Sequence, residues 1–226
     1  MVDLGGPFHL PPWLDYSATF IWALTGALLA ARRHYDIAGI TALALVSATG
    51  GGLLRDGIFL QNGPPLILRS WVYMALILIA AITVHLAGSY IQRIPLFDRT
   101  IAIVDALGLG GFAVVGVQLS LLAGLSAPAA AFVGVVNAVG GGMMRDLLIH
   151  REPAIFKPGP PAALAALPGC VIYLVLIREP FPGETIAGIL SVVAVFLIRV
   201  SALRYGWQTA APRGFEPYDG PDPYPG

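Results

Sequence analysis

Apolar runs of about twenty residues alternate along the chain with short polar or proline-rich breaks, and seven such runs can be marked. The first covers Leu14 to Ala31 and ends at "RRH"; the second covers Ile37 to Leu60 and ends at "QNGPP". The third covers Leu66 to Ile91, before "QRIPLFDR", and the fourth Ile101 to Leu122. The fifth covers Ala129 to Ile149, before "HREP". The sixth, Ala162 to Ile177, is short and contains Pro168-Gly169; the seventh covers Thr185 to Leu203. A bilayer core demands a helix of ~20 apolar residues. Barrel strands need only ~9–11 residues and alternate in polarity, which these runs do not. A helix also satisfies its own backbone in lipid. The pattern predicts an all-α membrane protein with seven transmembrane helices.

Composition agrees. The chain has 226 residues, 57% hydrophobic and 12% charged, against about 25% charged in soluble domains. Net charge is zero, so no basic field points to nucleic acid. The single Cys170 rules out an internal disulfide and a cysteine-rich metal site. No Gly-x-Ser-x-Gly, P-loop or His-Glu-x-x-His pattern occurs, so neither an enzyme nor a bound cofactor is expected. Residues 1–13 read as an exposed lead-in without the basic region of a cleaved signal. Residues 205–226, rich in Pro, Gly and acid, read as a disordered tail.

Basic residues orient the spans. With side A holding the N-terminus, side B carries Arg32, Arg33, Arg93, Arg99, Arg151, Lys157, Arg204 and Arg213. Side A has Arg69 and Arg178, with Arg55 near a span end. The expectation is an N-terminus outside and a C-terminus in the cytoplasm, in a bacterial inner membrane.

A repeat organises the spans. "SATGGGLLRDGIF" (Ser47 to Phe59) returns as "NAVGGGMMRDLLI" (Asn137 to Ile149), offset by 90 residues. Gly50, Gly51 and Gly52 match Gly140, Gly141 and Gly142; Arg55 and Asp56 match Arg145 and Asp146. The same offset pairs Asp15 with Asp105 and Gly26 with Gly116. Each copy holds three spans, an odd number, so the second copy enters from the opposite face. The chain divides into a first repeat (14–92), a second, inverted repeat (98–178) and a seventh helix (183–204). Inverted repeats with glycine-interrupted helices at matching positions point to a transport site near the midplane.

Three consecutive glycines weaken a helix, at ~1 kcal/mol each relative to Ala. An unwound turn would free carbonyls to face a cavity; the alternative is close helix packing. Ser47, Gly51 and Arg55 share one helical face, as do Asn137, Gly141 and Arg145. These stripes, with Thr49 as a weaker member, are candidate pore walls. An embedded Arg seeks a partner: Arg55 could pair with Asp15, and Arg145 with Asp105, one pair at each mouth. Two readings stand open for these groups: vestibule charges that control ion access, or structural locks with Asp56 and Asp146 facing the aqueous interface.

The doubled "GGGxxRD" in a three-plus-three arrangement with a seventh helix resembles the prokaryotic relatives of the trimeric intracellular cation (TRIC) channels. The same domain family carries the label of a putative glycine transporter. The resemblance implies a homotrimer with an hourglass pore in each subunit, bent second and fifth helices, and permeation of potassium with some sodium. Carried over, the bends fall at Gly50–Gly52 and Gly140–Gly142. The animal members' basic lipid-binding motif is absent from "GGGLLRD".

Three functions compete. A passive cation channel suits the neutral dipoles of Ser47 and Asn137, although the embedded arginines oppose it unless an Asp offsets them. A carrier for a small amino acid such as glycine suits an Arg-Asp pair, which complements a zwitterion. A structural protein without transport leaves the charged, glycine-rich spans unexplained.

Overall fold

Local chemistry sets where the helices start and stop. The protein is seen in a computed structural model that describes residues 11–91, 97–156, 159, 162–178 and 183–209. Its helices are α1 (Pro12–Arg32), α2 (Ile37–Leu54), α3 (Leu66–Arg69), α4 (Trp71–Ile91), α5 (Phe97–Leu122), α6 (Ala127–Leu148), α7 (Ala162–Leu176) and α8 (Glu184–Tyr205). A π-helical turn, Arg55–Leu60, extends α2. α1 opens on Pro12, whose fixed φ suits a first helical turn. It ends where His34 turns left-handed and the Tyr35 N–H donates to the Ala30 carbonyl. α5 ends in the same way 90 residues later: Gly124 is left-handed and Leu125 N–H donates to Ser120. Such a closure satisfies carbonyls at a helix end. Asp36 then caps α2 by accepting from Gly39 N–H at 2.8 Å, and Ser126 stands at the matching position before α6.

Five described helices are long and apolar enough to cross a membrane: Pro12–Arg32, Ile37–Leu60, Ala102–Leu122, Ala127–Leu148 and Glu184–Tyr205. Trp71–Ala87 within α4, and Ala162–Leu176, are further apolar helical stretches, below that length among the described residues. The chain is an all-helical, multi-pass membrane protein. One expected span differs. The run from Leu66 to Ile91 is not a single helix: Ser70 is extended (φ −136°, ψ 124°) and splits it into α3 and α4. The lead-in and tail fall largely on residues outside the described set, as do Arg93, Lys157 and Arg213.

α2 and α6 pack against each other at the centre, with α1 beside α2 and α5 beside α6. α4 closes on α1 and α2; α7 closes on α5 and α6. α8 packs on α5 and α7. The core is rich in Ala and Gly, with few large anchors such as Trp22, Leu109 and Tyr173. Trp22 and Phe112, 90 residues apart, meet edge to face with centroids 5.3 Å apart. Leu68, Leu86, Phe132 and Leu197 point outward. That is the pattern for a protein in lipid, where small residues let helices approach and large ones face the tails. Trp13, Trp71 and Trp207 are exposed near helix ends, as interfacial aromatics are.

Candidate functional site

The glycine triplets sit where α2 crosses α6. A Cβ on Gly51 would lie closer to the Asn137 carbonyl oxygen than the 3.0 Å that real Cβ atoms keep, and a Cβ on Gly141 would do the same to the Ser47 carbonyl oxygen. Gly50 would meet the Gly141 Cα at 3.0 Å, and Gly140 the Gly51 Cα at 3.0 Å. Four residues forward on α2 is thus four residues back on α6. The helices run antiparallel, and the contact is the same seen from either side. Neither triplet is unwound: the backbone is α-helical through both. The missing side chains are replaced by the opposing backbone, and this packing offsets the helix cost of the glycines. The irregular turn comes after the first triplet, at Arg55–Leu60.

Ser47 and Asn137 lie in this crossing, both fully buried. The Asn137 side-chain amide donates to the Phe112 carbonyl at 2.6 Å. Its Oδ1 and the Ser47 Oγ have no hydrogen-bond partner among the described residues, a state that costs about 1–3 kcal/mol per buried group. Gly26 backs Ser47, and Gly116 backs Asn137. Thr49 is different, because its hydroxyl is satisfied by the Leu45 carbonyl at 2.8 Å.

A small cavity opens on each side of the crossing. The A-side cavity, about 30 Å³, is lined by Asp15, Thr49, Gly52, Arg55, Asp56 and Phe112 among others. The B-side cavity, about 60 Å³, is lined by Asp105, Val139, Gly142, Arg145, Asp146 and Trp22, with Arg199 added from α8. The first six residues of each wall match at the offset of 90. A water needs roughly 10–15 Å³ of such space, so each cavity is of a size for a few waters. On side A, two outer cavities of about 450 and 110 Å³ share Leu66 with the inner one. α3 therefore stands at their junction.

The charges pair differently from expectation. Arg55, 3% exposed, binds Asp56 with two nitrogens: Nε to Oδ1 at 2.6 Å and a terminal nitrogen to Oδ2 at 3.0 Å. Asp15 instead accepts a hydrogen bond from the Tyr73 hydroxyl. The expected Arg55–Asp15 pair is not the one formed, because the adjacent Asp56 presents both oxygens to the fork and Tyr73 supplies Asp15 with a donor. On side B, Arg145 reaches both Asp146 (3.4 Å) and the expected Asp105 (3.8 Å). Asp56 and Asp146 do not merely face water. Asp56 accepts from the Leu66 N–H at 2.8 Å and Asp146 from the Ala154 N–H at 3.3 Å, so each ties the loop beyond its helix.

Sequence reasoning passed over four wall residues. Trp22 and Phe112 were signalled by the repeat register itself, both being aromatic at the offset of 90. Arg199 was signalled as a charge inside the seventh apolar run. Tyr73 carried no signal.

The family model described as glycine transporter matches residues 12–88 and 102–178, once on each copy of the repeat. A Deinococcus radiodurans membrane protein is 36% identical over 143 residues, 63% of this chain and 65% of that protein. The match thus spans just under two thirds of that relative. The inner membrane protein YadS of Escherichia coli is 32% identical over 195 residues, 85% of this chain and 91% of that protein. Among solved structures, the TRIC trimeric intracellular cation channel orthologue from Rhodobacter sphaeroides superposes with a TM-score of 0.78 at 31% identity. It covers 86% of this chain and 97% of its own. A second structure, concerned with conductance through TRIC cation channels, gives 0.79 at 25% identity, covering 89% and 97%.

Proposed function

The chain belongs to the glycine transporter family, the TRIC family of membrane proteins, and on that premise we propose that it is a monovalent cation channel with a pore inside each subunit. The path runs from the A-side cavities, through the α2–α6 crossing, to the B-side cavity. Potassium, with some sodium, is the permeating ion.

One observation carries the reading. Two buried oxygens, Ser47 Oγ and Asn137 Oδ1, lack partners among the described residues at equivalent positions in the crossing, between two cavities lined by matching charges. Neutral oxygens of this kind are weak ligands for a partly dehydrated cation, which can leave as readily as it arrives. The embedded arginines are offset by carboxylates at both mouths, which answers the main objection to cations passing. With the backbones in contact at the glycines, conduction requires α2 and α6 to separate there. The carrier reading is weaker on the same ground. Two of the Arg55 guanidinium nitrogens already hold Asp56, leaving less of the fork for a substrate carboxylate.

In this reading seven helices cross the membrane, as two inverted three-helix repeats plus α8. The N-terminus is outside and the C-terminus cytoplasmic, in the bacterial inner membrane, and the protein is a homotrimer.

The test is purified protein in planar bilayers under a potassium gradient. The expected result is discrete currents that reverse at the potassium potential. Asn137→Leu, which removes the unpartnered oxygen and narrows the crossing, is expected to cut them at least tenfold with monodisperse protein retained. Electrical silence from the unsubstituted protein, with labelled glycine accumulating in liposomes, would establish a carrier instead.

A further inference from the structure

The 450 Å³ cavity on side A has walls that the repeat does not explain. Asp15, Leu66 and Tyr73 line both it and the inner cavity, so the Asp15 carboxylate stands where the wide space meets the narrow one. Three aromatic residues join Asp15 in the wide wall: Tyr16, Trp71 and Tyr73. At the offset of 90, Asp15 is matched by Asp105, but the three aromatics are matched by Ala106, Pro161 and Ala163. The carboxylate is repeated; the rings around it are not.

Local structure collects these rings. Tyr16 follows Asp15 on α1. The extended Ser70 breaks the third apolar run, and α4 starts afresh at Trp71, packed on α1. The Tyr16 and Tyr73 rings meet at 73° with centroids 5.1 Å apart, which makes a corner rather than a flat stack. The Tyr73 hydroxyl donates to Asp15 and ties that corner to the carboxylate. Trp71 is exposed at the rim. The nearby cations are turned elsewhere. Arg55 spends two nitrogens on Asp56. Arg69, which also lines the wide cavity, is exposed, and two of its nitrogens donate to the Pro64 and Asn62 carbonyls.

A carboxylate among aromatic rings suits an organic ammonium ion, because the ring faces and the negative charge both attract it. We propose that the A-side vestibule is a binding site for an organic ammonium ion, held by Asp15 among Tyr16, Tyr73 and Trp71, whose occupant blocks the pore from side A. The blocking role, unlike the site, rests on the channel reading above. Tetramethylammonium cannot shed its methyl groups as potassium sheds water, so it stops where the wide space narrows at Asp15.

The experiment applies tetramethylammonium chloride to the full chain in two measurements. The first is potassium current in planar bilayers, with insertion direction fixed by a C-terminal tag reached from one bath. Block from side A is expected at a concentration about tenfold or more below that needed from side B. The second is titration calorimetry of the purified protein in detergent, where saturable binding is expected. Trp71→Leu and Tyr16→Leu are each expected to weaken binding and block roughly threefold, and Asp15→Asn about tenfold or more. Trp71 lies at the rim, so its variant carries the test if Asp15→Asn fails to fold. No saturable binding, or binding that Trp71→Leu and Tyr16→Leu both leave unchanged, overturns the site. Equal block from both baths, or binding without block, overturns the blocking role. Absence of any potassium current overturns the channel reading and the blocking role with it, and calorimetry then decides the site alone.

Discussion

The same seven-residue motif is wired in two ways. On side A, Arg55 is buried and held by two short bonds to Asp56, while Asp15 turns to Tyr73. On side B, Arg145 is 16% exposed and divides itself between Asp146 and Asp105 at 3.4 and 3.8 Å. The A cavity is half the volume of the B cavity, about 30 against 60 Å³. The motif fixes where the charges stand relative to the crossing. Tyr73, outside it, holds Asp15 and leaves Arg55 to Asp56. A doubled motif therefore gives a symmetric frame with tight ion pairing on one side and loose pairing on the other.

The largest effect is expected where the frame itself is broken. Gly51→Leu and Gly141→Leu each push a side chain into the facing carbonyl, and backbone cannot yield as a flexible side chain can. Overpacking a core costs about 1–3 kcal/mol and sometimes more, and here both central helices must move. Loss of monodisperse protein in detergent is expected for both. If either variant melts like the unsubstituted protein, α2 and α6 do not meet at the triplets.

The two mouths are separated by a smaller effect. Arg55→Ala removes a buried guanidinium and leaves the half-buried Asp56 with the Leu66 N–H alone, a loss of about 3–5 kcal/mol. Arg145→Ala removes longer bonds and leaves Asp146 with the Ala154 N–H, and about 1–3 kcal/mol, the cost of a buried group short of a partner, is expected there. Thermal melts of the two variants side by side would read the difference. Equal losses would mean that the tight and loose pairing does not describe the protein.

Much of this is legible in the amino-acid sequence alone. Runs of apolar residues marked the helices, because a bilayer leaves the backbone few alternatives. The offset of 90 marked Ser47 and Asn137, and the two triplets, as equivalent positions. What could not be read was pairing. Arg55 had two carboxylates within sequence reach, Asp15 and Asp56, and the choice between them depends on Tyr73, 58 residues from Asp15. Nor could the triplets' use be read. Three glycines weaken a helix or tighten a crossing with equal chemical plausibility, and only the position of the opposing backbone decides. The break at Ser70 was hidden by the apolar residues on both sides of it.

The smallest expected effect bears most directly on how the triplets are used. Within each triplet the third glycine is unlike the second: a Cβ on Gly52 or Gly142 would come no nearer than 3.7 Å to any neighbour, in each case its own motif's Arg. Both positions face the cavities rather than the crossing. Alanine there introduces no clash, and exchanging a helical Gly for Ala is worth up to ~1 kcal/mol in propensity. Gly52→Ala and Gly142→Ala are therefore expected to melt at or slightly above the unsubstituted temperature. A loss of more than about 1 kcal/mol at either would mean that the third glycine is needed for a conformation alanine resists, as an unwound helix would require. The two variants should nonetheless part in conduction. A methyl group takes up a larger share of the 30 Å³ cavity than of the 60 Å³ one, so Gly52→Ala should reduce potassium current more than Gly142→Ala. The reverse order would make the B side, not the A side, the narrower mouth.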